Sequence, residues 1–257
     1  MAALEEALRA GRAQGGKAFL PYLTGGFRGV DADLLRAVAE TGADAIEVGV
    51  PHSDPVMDGG VIQEASSAAL AAGTRPADVF ATIREASLDV PVAVMTYVNP
   101  VLRRGVDAFL DDAAEAGVSG IIVPDLPVDE AEAFDRACAG KGIDAVLLAA
   151  PGAVQARLEA IGARARGFVY CVATYGVTGA RETLGTAAEE LVGALRPLTD
   201  LPLLVGVGIG TPQQATEASA FADGVIVGSA LMAKLVDGDR EGLLELARAF
   251  RGALPPD

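Results

Sequence analysis

The sequence is poor in the residue types from which many active sites are built. Its 257 residues include one histidine, His52, and two cysteines, Cys138 and Cys171. A metal site with several histidine or cysteine ligands is therefore excluded, and a Ser-His-Asp triad would depend entirely on His52. Both cysteines lie in apolar segments, which is typical of buried free thiols, so a disulfide scaffold is excluded and a cytoplasmic location is expected.

Lysine and long apolar runs are scarce as well. The three lysines are Lys17, Lys141 and Lys234. None falls at the carboxyl end of a predicted strand, so a Schiff-base lysine is not expected. No apolar run reaches the roughly 18 residues of a membrane span, and the charged N-terminal segment is typical of a helix rather than a signal peptide. With 35 acidic against 20 basic residues, the net charge of −15 argues against binding to nucleic acid or anionic membranes. Acid–base chemistry in this chain must therefore depend mainly on carboxylates and tyrosines.

Short runs rich in valine, isoleucine and leucine alternate with amphipathic segments along the whole chain. The predicted strands are Phe19–Thr24, Ala45–Val50, Val92–Tyr97, Gly120–Pro124, Ala145–Ala149, Gly167–Ala173, Leu203–Val207 and Gly224–Val227. The predicted helices between them are Ala32–Thr41, Pro76–Ser87, Val106–Ala116, Asp129–Lys141, Val154–Ala163, Thr186–Pro197 and Pro212–Ala220.

Eight apolar strands separated by helices predict a parallel sheet closed into a (β/α)8 TIM barrel, which is an α/β fold. We expect a single domain over residues 1–257, with an extra N-terminal helix. Short extra helices are expected after strand two, at about Val61–Ala72, and after strand eight, at Ala230–Leu235. A doubly wound open sheet is the alternative, but it usually has fewer strands, and no G-x-G-x-x-G motif follows the first strand here.

An acidic residue lies within the second predicted strand. Side chains alternate along a strand, so Ala45, Glu47 and Gly49 should face the barrel lumen. Burying a carboxylate there is costly unless the group has a role. We interpret Glu47 as a general acid or base with a raised pKa. The alternative is a carboxylate that supports the fold through hydrogen bonds.

The loop after this strand carries two more acids, Asp54 and Asp58, between prolines and glycines. Asp58 lies close in the chain to Glu47 and above the barrel mouth, which indicates a two-carboxylate site, although turn formation is an alternative for an aspartate before two glycines. Asp54 fits a turn residue or a partner contact better than a catalyst.

Glycine-rich segments follow strands six, seven and eight, where barrels commonly bind phosphate. They are Gly176–Gly179, Gly206–Gly210 and Gly228-Ser229. Glycine permits close backbone approach, and amide groups at a helix start bind anions without basic side chains. Taken together the segments predict a phosphate site, although glycines also serve turns. Tyr170 would add a hydroxyl to the lumen or pack in the core, and residues 174–186 are typical of a mobile lid.

The segment Glu47–Gly59, with its acids, prolines and glycines in this order, resembles the signature of the tryptophan synthase alpha chain family. Further segments that resemble the family occur in the same order: Phe19–Tyr22, Met95–Pro100, Pro124–Pro127, Gly176–Gly179 and Gly206–Ile209. The resemblance covers almost the whole chain. It implies a (β/α)8 barrel that cleaves indole-3-glycerol phosphate to indole and glyceraldehyde 3-phosphate in tryptophan biosynthesis. It further implies no cofactor in this chain and a pyridoxal-phosphate beta chain as partner in an alpha2beta2 complex.

The resemblance also implies roles for individual residues. Glu47 and Asp58 would be the catalytic pair, supported by Tyr170 and by Thr178, which would close against the loop aspartate. The other implied sites are the indole pocket at Tyr22, Tyr97 and Ile62, the phosphate site at Gly179, Gly208, Gly228 and Ser229, and the partner-facing loop at His52, Asp54 and Pro55.

The chain departs from the family pattern in the loop. The family commonly has Phe or Tyr at His52 and Pro at Gly60, so this chain is expected to have a more flexible loop and a docking surface that differs from the family's. A stand-alone lyase that releases free indole is an alternative with the same chemistry. A non-catalytic phosphate-binding barrel is disfavoured by the intact pair of acids, and an aldolase or isomerase for another sugar phosphate by the lack of a suitable lysine or metal cluster.

Overall fold

The computed structural model describes residues 3–173 and 186–255. Eight parallel strands close into a barrel in the order of the chain, from β1 to β8 and back to β1. The strands are β1 (Ala18–Thr24), β2 (Ile46–Gly49), β3 (Val92–Met95), β4 (Val118–Ile122), β5 (Asp144–Ala149), β6 (Val169–Val172), β7 (Leu203–Gly206) and β8 (Gly224–Val227). The predicted (β/α)8 barrel is confirmed.

Helices surround the barrel and follow the strands. They are α1 (Ala3–Ala13), α2 (Ala32–Ala39), α3 (Gly60–Ala71), α4 (Pro76–Ala86), α5 (Val98–Arg104), α6 (Val106–Glu115), α7 (Glu132–Gly140), α8 (Gln155–Arg164), α9 (Thr186–Leu195), α10 (Pro212–Ser219), α11 (Ser229–Val236) and α12 (Arg240–Gly252), with a 3-10 turn at Arg196–Leu198. The expected extra helices are α1, α3 and α11.

Two helices, α5 and α12, were not among the predicted elements. The third strand was predicted to run to Tyr97, but it ends at Met95 and α5 begins at Val98. The apolar residues of α12 bury one face, at Leu243, Leu244, Ala247 and Phe250. Their helical spacing is the sequence signal for this helix.

Alternation along the strands divides the core into two layers. Ile46 and Val48 of β2 belong to the outer layer, between the strands and the helices. The inner layer fills the lumen with Leu4, Leu8, Leu20, Ala45, Ala93, Ile122, Val146, Phe168, Tyr170, Leu204 and Ile226. Because Ala45 faces the lumen, Glu47 two residues later points to the same side, nearer the carboxyl end of the strand.

Helix α1 closes the amino end of the barrel. Its Leu4 and Leu8 complete the inner apolar layer, and Leu4 packs against Gly120 of β4 so closely that a side chain there would overlap it. The backbone N–H of Glu5 donates to the Asp144 carboxylate at 2.9 Å, and the Glu5 carboxylate accepts from the N–H of Gly167 at 3.2 Å. The open end of the barrel, where functional loops gather, is therefore the opposite one.

Candidate active site

Glu47 is a buried acid in the barrel lumen. It stands on β2 between Tyr22 of β1 and Ala93 of β3 in the strand register. Only 1% of the residue is exposed, and its Oε2 atom has no hydrogen-bond partner among the described residues. Burial, with the nearby Asp58 carboxylate, raises the pKa of Glu47 to about 8. Glu47 is thus a carboxylic acid that keeps its proton near neutral pH and can deliver it to a bound molecule.

Asp58 is fixed by contacts to its side chain and to its backbone. The Tyr97 hydroxyl donates to Oδ2 at 3.0 Å, Gln63 Nε2 donates to the Asp58 carbonyl at 2.8 Å, and the Asp58 N–H donates to the Pro55 carbonyl at 3.0 Å. Burial raises the pKa of Asp58 to about 6, and the hydrogen bond from Tyr97 opposes this rise. Asp58 is therefore mostly ionised at neutral pH.

The two acids differ in protonation although they share one site. Glu47, with a pKa of about 8, holds its proton at a pH where Asp58, with a pKa of about 6, has lost its own. Two titratable groups whose environments separate their pKa values are the usual sign of divided acid–base roles. The pair can supply one proton and one fixed negative charge.

Tyr22 and Tyr170 border the acids from two other strands, β1 and β6. A Cβ atom at Gly49 would overlap the Tyr22 hydroxyl, and one at Gly206 would overlap the Tyr170 hydroxyl. Both phenols therefore need a glycine on the neighbouring strand. Burial and the charges of the acids raise the pKa of each phenol well above its ordinary value, so both stay neutral. The Thr24 hydroxyl donates to Tyr22 at 3.3 Å.

The structure places the other two predicted pocket residues near the same end of the barrel. Ile62 lies in the first turn of α3, directly after the loop that follows β2, and is 5% exposed. Tyr97 precedes α5, and its hydroxyl contacts Asp58 as described above. Gln63, which secures the backbone of Asp58, was not predicted from the sequence.

Two of the three segments predicted to bind phosphate lie within the described residues, after β7 and after β8. Val207 and Gly208 have left-handed backbone, with φ of 62° and 100°. That conformation is unusual for a β-branched residue such as Val207 and marks local strain. Gly228 precedes α11, and a Cβ there would lie 3.3 Å from the Tyr22 ring, so the start of this helix adjoins the site. Ser229 is the first residue of α11. Thr178 and Gly179 lie outside the described residues.

The loop after β2 covers one side of the site and reaches solvent on the other. The His52 ring stacks on Tyr97, with centroids 4.6 Å apart and ring planes at 21°. Pro55 is half-buried, and the exposed Asp54 accepts a hydrogen bond from the Ser53 hydroxyl at 2.6 Å.

Large apolar side chains are exposed in this loop and after two other strands. Within the described ranges the four exposed ones are Val56, Met57, Leu102 and Val154. Val56 and Met57 lie in the loop after β2, Leu102 lies in α5 after β3, and Val154 lies in the loop after β5. They therefore belong to the end of the barrel that carries the site. Leu102 and Val154 were not predicted, because an isolated exposed apolar residue leaves no pattern in the sequence.

Two features are absent from residues 3–173 and 186–255. No group of three or more histidine, cysteine, aspartate or glutamate side chains lies close enough together to hold a metal ion there. Over the same residues, none of the helices has the length and apolar character needed to cross a lipid bilayer.

A closed (β/α)8 barrel with a protonated and an ionised carboxylate in its mouth is the arrangement found in barrel enzymes that use acid–base chemistry. The chain matches the family model of the tryptophan synthase alpha chain over residues 8–250. It is 46% identical to the tryptophan synthase alpha chain of Streptomyces avermitilis over 98% of this chain and 92% of that one. It is 42% identical to that of Microcystis aeruginosa over 99% of this chain and 100% of that one.

Solved structures agree with the sequence comparison. A chain of Mycobacterium tuberculosis tryptophan synthase superposes with a TM-score of 0.91 at 41% identity, over 98% of both chains. The tryptophan synthase alpha subunit of Legionella pneumophila gives a TM-score of 0.89 at 31% identity, again over 98% of both chains. The chain therefore belongs to the tryptophan synthase alpha chain family, and it is a lyase of the kind that cleaves indole-3-glycerol phosphate.

Proposed function

We propose that the chain cleaves indole-3-glycerol phosphate through Glu47 and Asp58, with Glu47 as the group that moves the protons. The observation that carries this proposal is the buried, protonated state of Glu47 beside an ionised Asp58. The reaction is a retro-aldol cleavage of the bond between indole C3 and the glycerol phosphate chain.

Glu47 both donates and accepts a proton in this reaction. The acid donates its proton to indole C3, which turns the ring into an electron-poor indolenine with positive charge at its nitrogen. The resulting carboxylate then takes the proton of the hydroxyl on the adjoining side-chain carbon. The carbon–carbon bond breaks, its electron pair returns to the ring, and the hydroxyl carbon becomes the aldehyde of glyceraldehyde 3-phosphate. Glu47 ends as it began, protonated.

Asp58 supplies the charge that this route needs. Its carboxylate is ionised at neutral pH and held by Tyr97, so it can stabilise the positive charge that develops at the indole nitrogen without first reorienting. Tyr22, Ile62 and Tyr97 would surround the indole ring, with Tyr170 adding a neutral hydroxyl beside Glu47. Thr178 would close the site over the substrate.

Backbone amides would bind the phosphate group. Gly208, Gly228 and Ser229, together with Gly179, are the residues proposed for this contact. The start of α11 presents unpaired N–H groups and the positive end of the helix dipole, which favour an anion. Such a local site is needed because the net charge of −15 repels the substrate at long range.

A pyridoxal-phosphate beta chain is the partner we propose, in an alpha2beta2 complex, and this chain would need no cofactor of its own. The support is the set of apolar side chains exposed at the site end of the barrel, Val56, Met57, Leu102 and Val154. Apolar groups exposed at the site end of a barrel suit an interface with a partner. His52, Asp54 and Pro55 would lie in the same contact.

We also propose a cytoplasmic location. Both cysteines, Cys138 and Cys171, are buried and free rather than paired, which suits a reducing compartment.

The test is indole formation from indole-3-glycerol phosphate by the purified chain, first alone and then with a tryptophan synthase beta chain. We expect slow release of indole alone and acceleration by the beta chain. Absence of indole under both conditions would overturn the proposed reaction. A fast rate that the beta chain leaves unchanged would instead identify a stand-alone lyase and overturn the proposed partner.

A further inference from the structure

The Tyr97 hydroxyl acts both as a donor and as an acceptor of hydrogen bonds within the protein. It donates its one proton to Asp58 Oδ2 at 3.0 Å and accepts from the backbone N–H of Met57 at 2.9 Å. The residue is 3% exposed. Its proton is therefore committed to Asp58 rather than offered to a substrate.

The ring of Tyr97 is held as well as its hydroxyl. His52 stacks on it with a centroid distance of 4.6 Å. An arrangement of this kind restricts the ring to one orientation and contributes attraction beyond the buried area. Three positions of the loop after β2, at residues 52, 57 and 58, thus contact one side chain that precedes α5. Tyr97, which lies just after β3, therefore holds the loop that carries Asp58 against the end of that strand.

We propose that Tyr97 is a positioning residue that holds Asp58 in its working orientation, and that His52 keeps the Tyr97 ring in place. The proposal rests on the proposed function, because it presumes that the charge of Asp58 serves the reaction. It gives Tyr97 a role beyond that of a pocket wall.

The charged and titratable groups around Asp58 make its pKa a measurable test of this role. Asp58 is faced by Glu47 of β2, Tyr22 of β1, Tyr170 of β6 and Tyr97. The same Tyr97 is also near Asp125, which follows β4 and accepts from the N–H of Val98 at 2.8 Å.

Among these neighbours only Tyr97 donates a hydrogen bond to the Asp58 carboxylate in the described residues, and this bond lowers the pKa of Asp58. Loss of the hydroxyl must therefore raise the pKa of Asp58 further, because the ionised form loses a donor.

The first experiment compares the full wild-type chain with Tyr97→Phe in indole formation across pH. We expect kcat to fall about tenfold, KM to stay within about twofold, and the acid limb of the kcat/KM profile, which reports the unliganded enzyme, to move up by about one pH unit. A raised KM with an unmoved acid limb would show a simple pocket wall and overturn the proposal. If wild type itself forms no indole, the proposed function fails instead, so the two failures are distinct.

The second experiment tests His52 with two replacements. His52→Phe keeps a ring that can stack on Tyr97 and should retain the wild-type acid limb. His52→Ala should move the limb in the same direction as Tyr97→Phe. Adding His52→Ala to Tyr97→Phe should give no further shift, because both act through one contact. An unshifted His52→Ala, or additive shifts in the double variant, would overturn the role of His52.

Discussion

The hydroxyl group of Tyr170 occupies the space that a side chain at Gly206 would fill. Tyr170 lies on β6 and Gly206 ends β7. Position 206 must therefore lack a side chain so that the Tyr170 hydroxyl can lie beside the two acids. Gly49 stands in the same relationship to Tyr22. Each of these glycines is thus part of the site although it offers no functional group.

Gly206→Ala should therefore damage activity and stability together. The methyl group would displace the Tyr170 ring from a tightly packed lumen, at a cost of about 1–3 kcal/mol in the free energy of unfolding. We expect at least a tenfold loss in indole formation and a lower Tm. Gly193→Ala is the matched control, because Gly193 lies within α9 and a Cβ there meets nothing within 4 Å. That change should raise stability by up to about 1 kcal/mol; equal effects of the two changes would refute the packing argument.

Glu47→Gln should remove the proton donor while keeping the size of the side chain. We expect turnover to fall about 100- to 10,000-fold, as for loss of a general acid–base group. Glu245→Gln, on the exposed face of α12, makes the same chemical change away from the barrel lumen and should leave turnover unchanged. Circular dichroism and Tm would verify the fold of both variants. Near-normal indole release by Glu47→Gln would refute the assignment.

Asp58→Asn should retain an oxygen that accepts from Tyr97 but lose the negative charge. We expect about a 100-fold fall in kcat, the size found when one preorganised electrostatic group is removed. Asp89→Asn, at an exposed position, is the control. If Asp58→Asn turned over like wild type, the developing positive charge would have to be stabilised by another group.

The rate should depend on pH through both acids. Asp58 must be ionised, so activity should rise with pH through about 6, and Glu47 must hold its proton, so activity should fall with pH through about 8. A bell-shaped profile of kcat/KM between these values is the expected result. A profile that keeps rising above pH 9 would contradict a protonated Glu47.

Asp144, at the closed end of the barrel, should make stability depend on pH. Burial raises its pKa to about 6, so the folded state favours the protonated acid. Its contribution to stability is present below the unfolded pKa near 4 and is lost as pH rises through 6. The Asn side chain of Asp144→Asn can still accept the hydrogen bond from the Glu5 N–H. The free energy of unfolding of this variant should therefore rise by about 1–2 kcal/mol relative to that of wild type as the pH increases from 4 to 7. Urea unfolding at both pH values measures this, and a difference that does not change with pH would contradict it.

Much of the barrel could be predicted because its signals are local. Parallel strands buried on both faces read as apolar runs, and alternation along β2 was enough to direct Glu47 into the lumen. Helix α12 was missed although its apolar spacing was present. The end of β3 was misplaced because Thr96 and Tyr97, which follow Met95, are also residue types that favour strands.

The contacts that hold the site together could not be predicted in the same way. The bond from Tyr97 to Asp58 joins residues 39 positions apart, and it depends on how the loop after β2 folds over the end of β3. Gln63 and the His52 ring take part in the same loop geometry. Periodicity describes which face a side chain occupies, whereas the path of an irregular loop depends on tertiary contacts.

The placement of the tyrosines has a spectroscopic consequence. The chain contains four tyrosines and no tryptophan, and Tyr22, Tyr97 and Tyr170 all surround the two acids. Ultraviolet emission from the unlabelled chain therefore originates largely at the site. A ligand that reaches Glu47 and Asp58 should change that emission directly, and the indole ring can be followed at longer wavelengths without interference from an indole side chain of the protein.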